Sequence, residues 1–490
     1  MIKQWIDSAA SHWGGAAYLE DARGAGKLTF ADLQRSTRAW ARYLDRAGVA
    51  PGACVALRLP DTLGYASALV AILGAGRVVV PLDPAAPAAA LARVLDLGRP
   101  QAVVANGDLP PGSPGRHLPV LIPPGPDKAG ALEETGDTQN AGGIFLCTSG
   151  TTGTPKGVLL RDGQLSHVAA CVAVHHRLIP ADRGYCCLPL FHVNAEVVGL
   201  LATLAARAGL VLDRKFSPRG FWAMIEEQEI TWINAVPAII TILAQEPATA
   251  RTPGRIRFVR SASAPLPPAS LRQFEQRFGI PVIETYGMTE AASMITTNPL
   301  DGPRKPGSSG RSAGAQIRIV QRAGKRYVPC PPGTVGQVQI RGRGVITQYA
   351  VGGRAGVIGP DGWLDTGDLG HVDSQGYLFL AGRSDDVINR GGEKIYPREI
   401  EEFLLAQPGV RSAAVVAAPD EVLGQRPVAY VVPADPGRAD QLQRALREAC
   451  EAALPRAKRP AAVHLVPELP LGATGKVARG RLRKLAAAAH

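Results

Sequence analysis

The apolar positions of this chain fall into short strand-like runs separated by longer stretches with helical spacing. Thr29-Phe-Ala-Asp32 reads as a capping box opening a helix with Leu33, Trp40 and Leu44 on one face, and Pro51-Gly52 ends it. Residues 55–59, 76–80 and 102–105 read as strands, with helices over 62–73 and 91–97 between them. The alternation resumes with strands at 185–190, 209–212, 231–235, 256–260 and 281–284 and helices at 196–206, 218–229, 237–243 and up to Phe278. Strands alternating with helices predict a parallel α/β sheet. Between Gly310 and Leu380 the runs shorten and glycines interrupt them, which predicts an antiparallel, barrel-like piece. Past Arg383-Ser-Asp385 the pattern reads strand, helix (Pro397 in its first turn), strands at 413–417 and 428–432, helix 441–454 and strand 463–466. That is a small α+β unit with its own core. The expected architecture is a large α/β N-terminal domain over 1–384, made of parallel α/β subdomains plus the barrel-like one. A smaller α+β C-terminal domain over 385–490 follows a short hinge.

Composition narrows the function classes more than the fold. With 46% hydrophobic and 20% charged residues the chain has the make-up of a soluble globular protein. No apolar run approaches the ~18 residues of a membrane span, and the start of the chain lacks the basic-then-apolar pattern of a signal peptide. The seven cysteines show no CxxC pair and no clustered histidines, which argues against zinc or a disulfide framework and fits a reducing cytoplasm. The net charge of +12 invites a nucleic-acid partner, but aromatics are sparse at 5% and most arginines are scattered, so none is expected. At the end of the chain Arg456, Lys458, Arg459, Lys476, Arg479, Arg481, Arg483 and Lys484 face only Glu468 within their own stretch. Such a tail can hold a polyphosphate or be a solvated surface. Heavy use of Ala, Gly, Pro and Arg points to a high-GC bacterial genome.

Candidate chemistry sits at the ends of the strands. The apolar run 144–147 leads into Thr148-Ser-Gly-Thr-Thr-Gly-Thr-Pro-Lys156. Glycines let a backbone fold tightly and bring its N–H groups to a polyanion, the hydroxyls add donors, and Lys156 adds charge. This is phosphate-holding chemistry without the Walker spacing. Further clusters follow: His192 after Leu188-Pro-Leu-Phe191; Tyr286-Gly-Met-Thr-Glu290; Trp363-Leu-Asp-Thr-Gly-Asp368 in a glycine turn; and Gly472-Ala-Thr-Gly-Lys476. Glu290 suits Mg²⁺, which takes one or two carboxylates beside phosphate oxygens. Together the clusters ask for a nucleoside-triphosphate site closed over by a second domain.

These motifs, in order over nearly the whole length, resemble the adenylate-forming superfamily of acyl-CoA synthetases, aryl-CoA ligases, luciferases and peptide-synthetase adenylation domains, and its acyl-CoA synthetase branch in particular. The resemblance extends through Gly376-Tyr-Leu-Phe-Leu-Ala-Gly-Arg-Ser-Asp385 and Asn389-Arg-Gly-Gly-Glu-Lys-Ile-Tyr-Pro397. It implies that Thr148, Ser149, Gly150, Thr151, Thr152, Gly153 and Lys156 hold the β- and γ-phosphates of ATP. Ser263, Ala264 and Pro265, with Glu284, Thr285, Tyr286, Gly287 and Met288, would enclose the adenine. Thr289 would meet the α-phosphate, Glu290 the Mg²⁺ ion, and Asp368 and Arg383 the ribose. Lys476 would bridge the substrate carboxylate and the α-phosphate, and His192 would sit beside the acyl group and the entering thiol of coenzyme A. Asp385 falls at the hinge about which the small domain turns, and Gly391 and Gly392 would line the pantetheine tunnel.

The chain departs from the superfamily in a shorter segment between Gln348 and Trp363 and in Gly472 where a polar residue is usual. Amino-acid-activating relatives have an Asp where His192 stands, which disfavours α-amino acids. Residues 285–298 and Lys305-Pro-Gly307 are similar to oxalyl-CoA ligases, yet their histidine corresponds to Ser293 here, and no basic residue for a small dianion is identifiable. The stretches expected around the acid, Val193-Asn194-Ala195, Ser261-Ala262 and Ala291-Ala292-Ser293, are small and mostly apolar, which points to an aryl, branched or bulky acid of the kind used in natural-product biosynthesis. A small dicarboxylate is the alternative. The expected acceptor is CoA, with a carrier-protein pantetheine as runner-up; a non-catalytic nucleotide-binding scaffold is the reading from another class. Monomer and homodimer are both left open.

Overall fold

The structure, a computed structural model, describes residues 1–107, 112–124, 141–149, 155–246, 254–324, 326–353, 356–471 and 477–488. Contacts divide the chain into two compact units: residues 1–266, 273–317 and 340–364, and residues 267–272, 318–339 and 365–490. Asp385 lies inside the second unit.

The first unit is built on two sheets. In one, Val282–Met288, Phe258–Ser261, Trp232–Ala235, Arg183–Cys186, Gly209–Leu212 and Ala17–Asp21 run parallel, flanked by antiparallel Ser293–Thr297 and then Arg311–Ser312 on one side and by antiparallel Lys27–Thr29 on the other. In the other, Val120–Leu121, Ala102–Val104, Cys54–Leu57, Val78–Pro81 and Gly143–Ser149 run parallel and Pro155–Arg161 closes the edge antiparallel. Strands such as Val78–Pro81 are buried along their length, as parallel strands covered on both faces must be. The helix Phe30–Arg46 starts as expected: the Asp32 amide donates to Thr29 Oγ1 at 3.1 Å and the Thr29 amide to Asp32 Oδ2 at 2.9 Å, while Leu33, Trp40 and Leu44 are buried. A cap of this kind contributes about 1 kcal/mol.

The second unit holds most of a five-stranded sheet in which Gln316–Ala323 pairs antiparallel with Arg326–Pro329 and Leu364–Val372 with Leu378–Arg383. It also holds an α+β layer: Glu393–Ile395, Ile388–Arg390, Gly424–Pro433 and Val410–Asp420 in order, with Ala462–Leu465 parallel to Gly424–Pro433. One face of that sheet buries Ile400, Leu404, Leu442 and Leu446 from two helices, Pro397–Leu405 and Ala439–Ala453. The other face buries Leu482 and Ala486 of the helix Arg479–Ala488.

Four local features differ from the sequence reading. The segment Asn194–Leu201 is π-helical and runs into the α-helix Ala202–Ala206; an apolar run looks the same in either winding. Thr148 and Lys156, expected in a loop, face each other as paired strand residues of a hairpin, because Pro155–Arg161 is a strand despite its proline and glycine. Tyr286 to Met288 continue a strand where a post-strand cluster was read. Asp368 lies within the strand Leu364–Val372 rather than in a turn, with Gly367 at φ +72° supplying the local bend.

Candidate active site

Within the first unit the two sheets bring several of the expected residues together at strand ends. Lys156 places its Nζ 5.1 Å from the centre of the Tyr349 ring, and the Tyr349 hydroxyl donates to Glu290 Oε1 at 3.0 Å. The hairpin carrying Lys156 is tied to the same segment: the Gly157 amide donates to the Val351 carbonyl at 2.8 Å and the Ala350 amide to the Gly157 carbonyl at 2.9 Å. Gly157 has to be glycine, since a Cβ there would stand 2.5 Å from the Phe145 ring. The shortened segment after Gln348 thus supplies Tyr349, a residue that sequence reasoning missed; an isolated aromatic in a glycine-rich stretch was the available signal.

Glu290 is buried in a short 3-10 turn, Thr289–Ala291, and its carbonyl accepts from the Ile346 amide at 2.9 Å. No group of three or more metal-ligating side chains occurs among the described residues. A Mg²⁺ ion bound mostly through phosphates and water needs only one or two carboxylates, and Glu290, with no cation paired to it among the described residues, fits that donor set. Two of the residues that follow, Ala292 at φ +48° and Ser293 at φ +96°, hold left-handed backbone, the kind of strain that collects at functional sites. Gly287 lets this strand pass its neighbour: a Cβ on it would fall 1.6 Å from the Ser293 carbonyl oxygen.

His192 and Thr289 line a cavity of about 150 Å³ whose other walls include Leu82, Leu91, Val94 and Cys147. His192 packs its ring 4.8 Å from Phe191. Of the residues expected around adenine, Glu284 Oε2 accepts from the Gly307 amide at 3.2 Å and Thr285 Oγ1 donates to the Ser261 carbonyl at 3.0 Å. Ser263, Ala264 and Pro265 are exposed, whereas Ser261, Ala262, Ala291 and Ala292 are buried.

Beneath Asn194 the structure holds an arginine that the sequence reading did not single out. Arg260 is 1% exposed, and its Nη1 donates to Asn194 Oδ1 at 2.8 Å and to Asn234 Oδ1 at 3.1 Å. Burial pushes its guanidinium down to about 9, so it remains charged at neutral pH. Asn194 Nδ2 in turn donates to Ser263 Oγ at 3.3 Å. A charged residue inside an apolar strand, Phe258-Val-Arg-Ser261, was the available sign. Nearby Glu196 is fully buried with neither carboxylate oxygen bonded, and burial pushes its carboxyl well above the usual range.

In the second unit Asp368 and Arg383, both expected at the ribose, sit opposite each other in register and pair at 3.1 Å, with Arg383 Nη1 also donating to the Thr366 carbonyl at 2.9 Å. Asp385 is exposed in the turn Ser384–Asp386, and its carbonyl accepts from Arg483 Nη2 at 3.0 Å. Gly391 and Gly392 make an exposed hairpin tip at φ +58° and +91°, backbone that favours glycine. Gly150, Thr151, Thr152, Gly153 and Lys476 lie outside the described residues, as does the side chain of Ser149. Leu471 and Val477, which flank the Lys476 segment, pair with each other.

Two family models match the chain. Residues 6–350 match the AMP-binding enzyme family and residues 399–476 the AMP-binding enzyme C-terminal domain. The chain is 39% identical over 491 aligned positions to a sulfoacetate–CoA ligase of Cupriavidus necator, covering 96% of this chain and 95% of the relative. It is 33% identical to an oxalate–CoA ligase of Arabidopsis thaliana, with 90% of each covered. Among solved structures, O-succinylbenzoate coenzyme A synthetase from Bacillus subtilis, in complex with ATP and magnesium ion, superposes with a TM-score of 0.84 at 28% identity, covering 98% of each chain. On these matches the chain belongs to the AMP-binding enzyme family, as an acid–thiol ligase of the acyl-CoA synthetase branch.

Proposed function

We propose that this protein activates a small-molecule carboxylic acid as an acyl adenylate, releasing pyrophosphate from ATP, and then transfers the acyl group to the thiol of coenzyme A. The observation that carries this reading is the chain of contacts from Lys156 through Tyr349 to Glu290, whose neighbour Thr289 lines a small cavity together with His192. Adenylation joins two anions, so the site must chiefly neutralise charge and align the reactants. Lys156 holds the leaving phosphates, and Glu290 would hold Mg²⁺, which offsets phosphate charge when bound. Lys476 bridges the carboxylate and the α-phosphate. The mostly apolar walls of the cavity suit a thiol that must reach the adenylate without water, with His192 beside it. Between the two steps Lys476 has to leave, and a hinge at Asp385, with Gly391 and Gly392 at the tunnel, is how we read the second unit's part.

The family resemblance favours CoA as acceptor over a carrier-protein pantetheine; comparing thioester formation on free CoA with that on a phosphopantetheinylated carrier separates the two. For the acid, the small apolar stretches favour an aryl or branched substrate. Sulfoacetate, oxalate and O-succinylbenzoate, named for the relatives above, instead share a second anionic group. Pyrophosphate release over a panel of carboxylic acids identifies the substrate. In ATP–pyrophosphate exchange with the best acid, Lys476→Ala is expected to lose about a hundredfold or more. Exchange at the wild-type rate would remove Lys476 from the chemistry.

A further inference from the structure

Among the described residues Arg260 has no counter-charge, and its hydrogen bonds go to two amide oxygens. No carboxylate lies within ion-pair distance of it among the described residues, and its Nε donates to nothing there. A buried cation held only by two amide oxygens is costly unless something from outside the fold completes the arrangement. The hydrogen bonds lead outward: from Arg260, 1% exposed, to Asn194, 7% exposed, to the exposed hydroxyl of Ser263. Ser263 is itself strained, at φ +74°, in a backbone region that serine rarely adopts. Asn194 also opens the π-helical segment, a winding that often marks functional positions. It follows His192 and Val193, both on the wall of the reaction cavity.

We propose that Arg260, acting through Asn194 and Ser263, selects acids that carry a second anionic group, a carboxylate or sulfonate, besides the carboxylate that is adenylated. The proposal rests on the acid–thiol ligase reading and names its substrate class. The guanidinium bond to Asn194 Oδ1 polarises that amide and strengthens Nδ2 as a donor. The second anion accepts from Asn194 Nδ2 and the Ser263 hydroxyl, and the unpaired charge of Arg260 lies behind both. An acid ending in a methyl or phenyl group would leave these donors unpaired, which is how a polar pocket rejects an apolar analogue. Arg260 touches no reacting atom and is a positioning residue.

The test uses the full chain, with ATP–pyrophosphate exchange and CoA-thioester formation measured on malonate, succinate and sulfoacetate against butyrate and benzoate. The expected result is a kcat/KM for the best two-anion acid about a hundredfold above that for butyrate. Arg260→Met should reduce that ratio about tenfold or more, mainly through KM for the two-anion acids, and Arg260→Lys should recover part of it. Asn194→Asp places a carboxylate against Arg260, so it neutralises the site while pairing the buried charge; it should abolish the preference even if Arg260→Met fails to fold. A wild-type enzyme that uses butyrate or benzoate as well as the two-anion acids overturns this proposal and leaves the ligase reading standing. So does a preference that survives Asn194→Asp. Absence of exchange and thioester with every acid overturns the ligase reading, and this proposal with it.

Discussion

His176 shows at a single residue how the first unit's core depends on proton count. It is fully buried below the strand Phe258–Ser261, its ring 5.3 Å from Phe258, with Nδ1 against the Val172 carbonyl at 3.0 Å and Nε2 unbonded. Burial first, and then the charges of Arg260, His175 and Arg257, push its pKa down to about 3. The unfolded chain, titrating near ~6.5, therefore binds the extra proton over the window between those values. Stability is complete above that window and falls as pH drops through it, by roughly 1.4 kcal/mol per pH unit for this group. The melting temperature should fall between about pH 6.5 and 5, and His176→Leu should flatten that part of the profile. A wild-type profile already flat there would show that His176 accepts a proton inside the fold. The same strand explains what one residue could not announce. Lys156 and Glu290 could be singled out in the sequence because their motifs are built around them, whereas Arg260 is drawn in only by bonds to Asn194 and Asn234, which lie 66 and 26 positions away in the chain.

At the scale of elements, most of the fold could be read from spacing. The parallel strands and their helices stand within a few residues of where alternation put them, because a strand buried on both faces has to be an unbroken apolar run. What could not be read depends on tertiary contacts. The hairpin strand Pro155–Arg161 carries a proline and a glycine, yet pairs along its length with Gly143–Ser149. The helix Arg479–Ala488 looked like part of a basic tail, but it is a packed element, and two of its arginines find acids elsewhere in their unit. Arg479 clamps Glu401 at 2.6 and 2.9 Å and reaches Asp386 at 3.4 Å, while Arg483 pairs with Asp386 and holds the Asp385 carbonyl. Glu401 is buried and also accepts from the Val415 amide at 2.7 Å. Arg479→Ala would leave that carboxylate without its cation, at a cost of about 3 kcal/mol. Thermal denaturation should register a clear loss, smaller in Arg479→Lys, which restores charge without the bidentate fork. An unchanged melting temperature would mean that solvent already screens the pair.

For the whole molecule the net charge of +12 is the property most relevant to its anionic reactants. Fewer of the C-terminal cations are free than their local sequence implies. Lys458 pairs with Glu399 at 2.6 Å, and Arg479 and Arg483 are engaged as above. Arg456, Arg481 and Lys484 remain exposed. An exposed cluster acts over about one Debye length, so its pull on a polyanion such as CoA fades as salt shortens that length from roughly 14 Å at about 0.05 M to about 4 Å at about 0.5 M. Raising salt over that range should increase KM for CoA several-fold and leave kcat nearly unchanged. Reversing Arg481 and Lys484 to glutamate should raise KM for CoA at low salt and erase most of the salt effect, without altering ATP–pyrophosphate exchange. Both residues stand outside the groups assigned to adenylation, which is why exchange serves as the control. If CoA kinetics ignore both salt and charge reversal while exchange is normal, the exposed cations are a solvated surface, and the acceptor is held by other contacts.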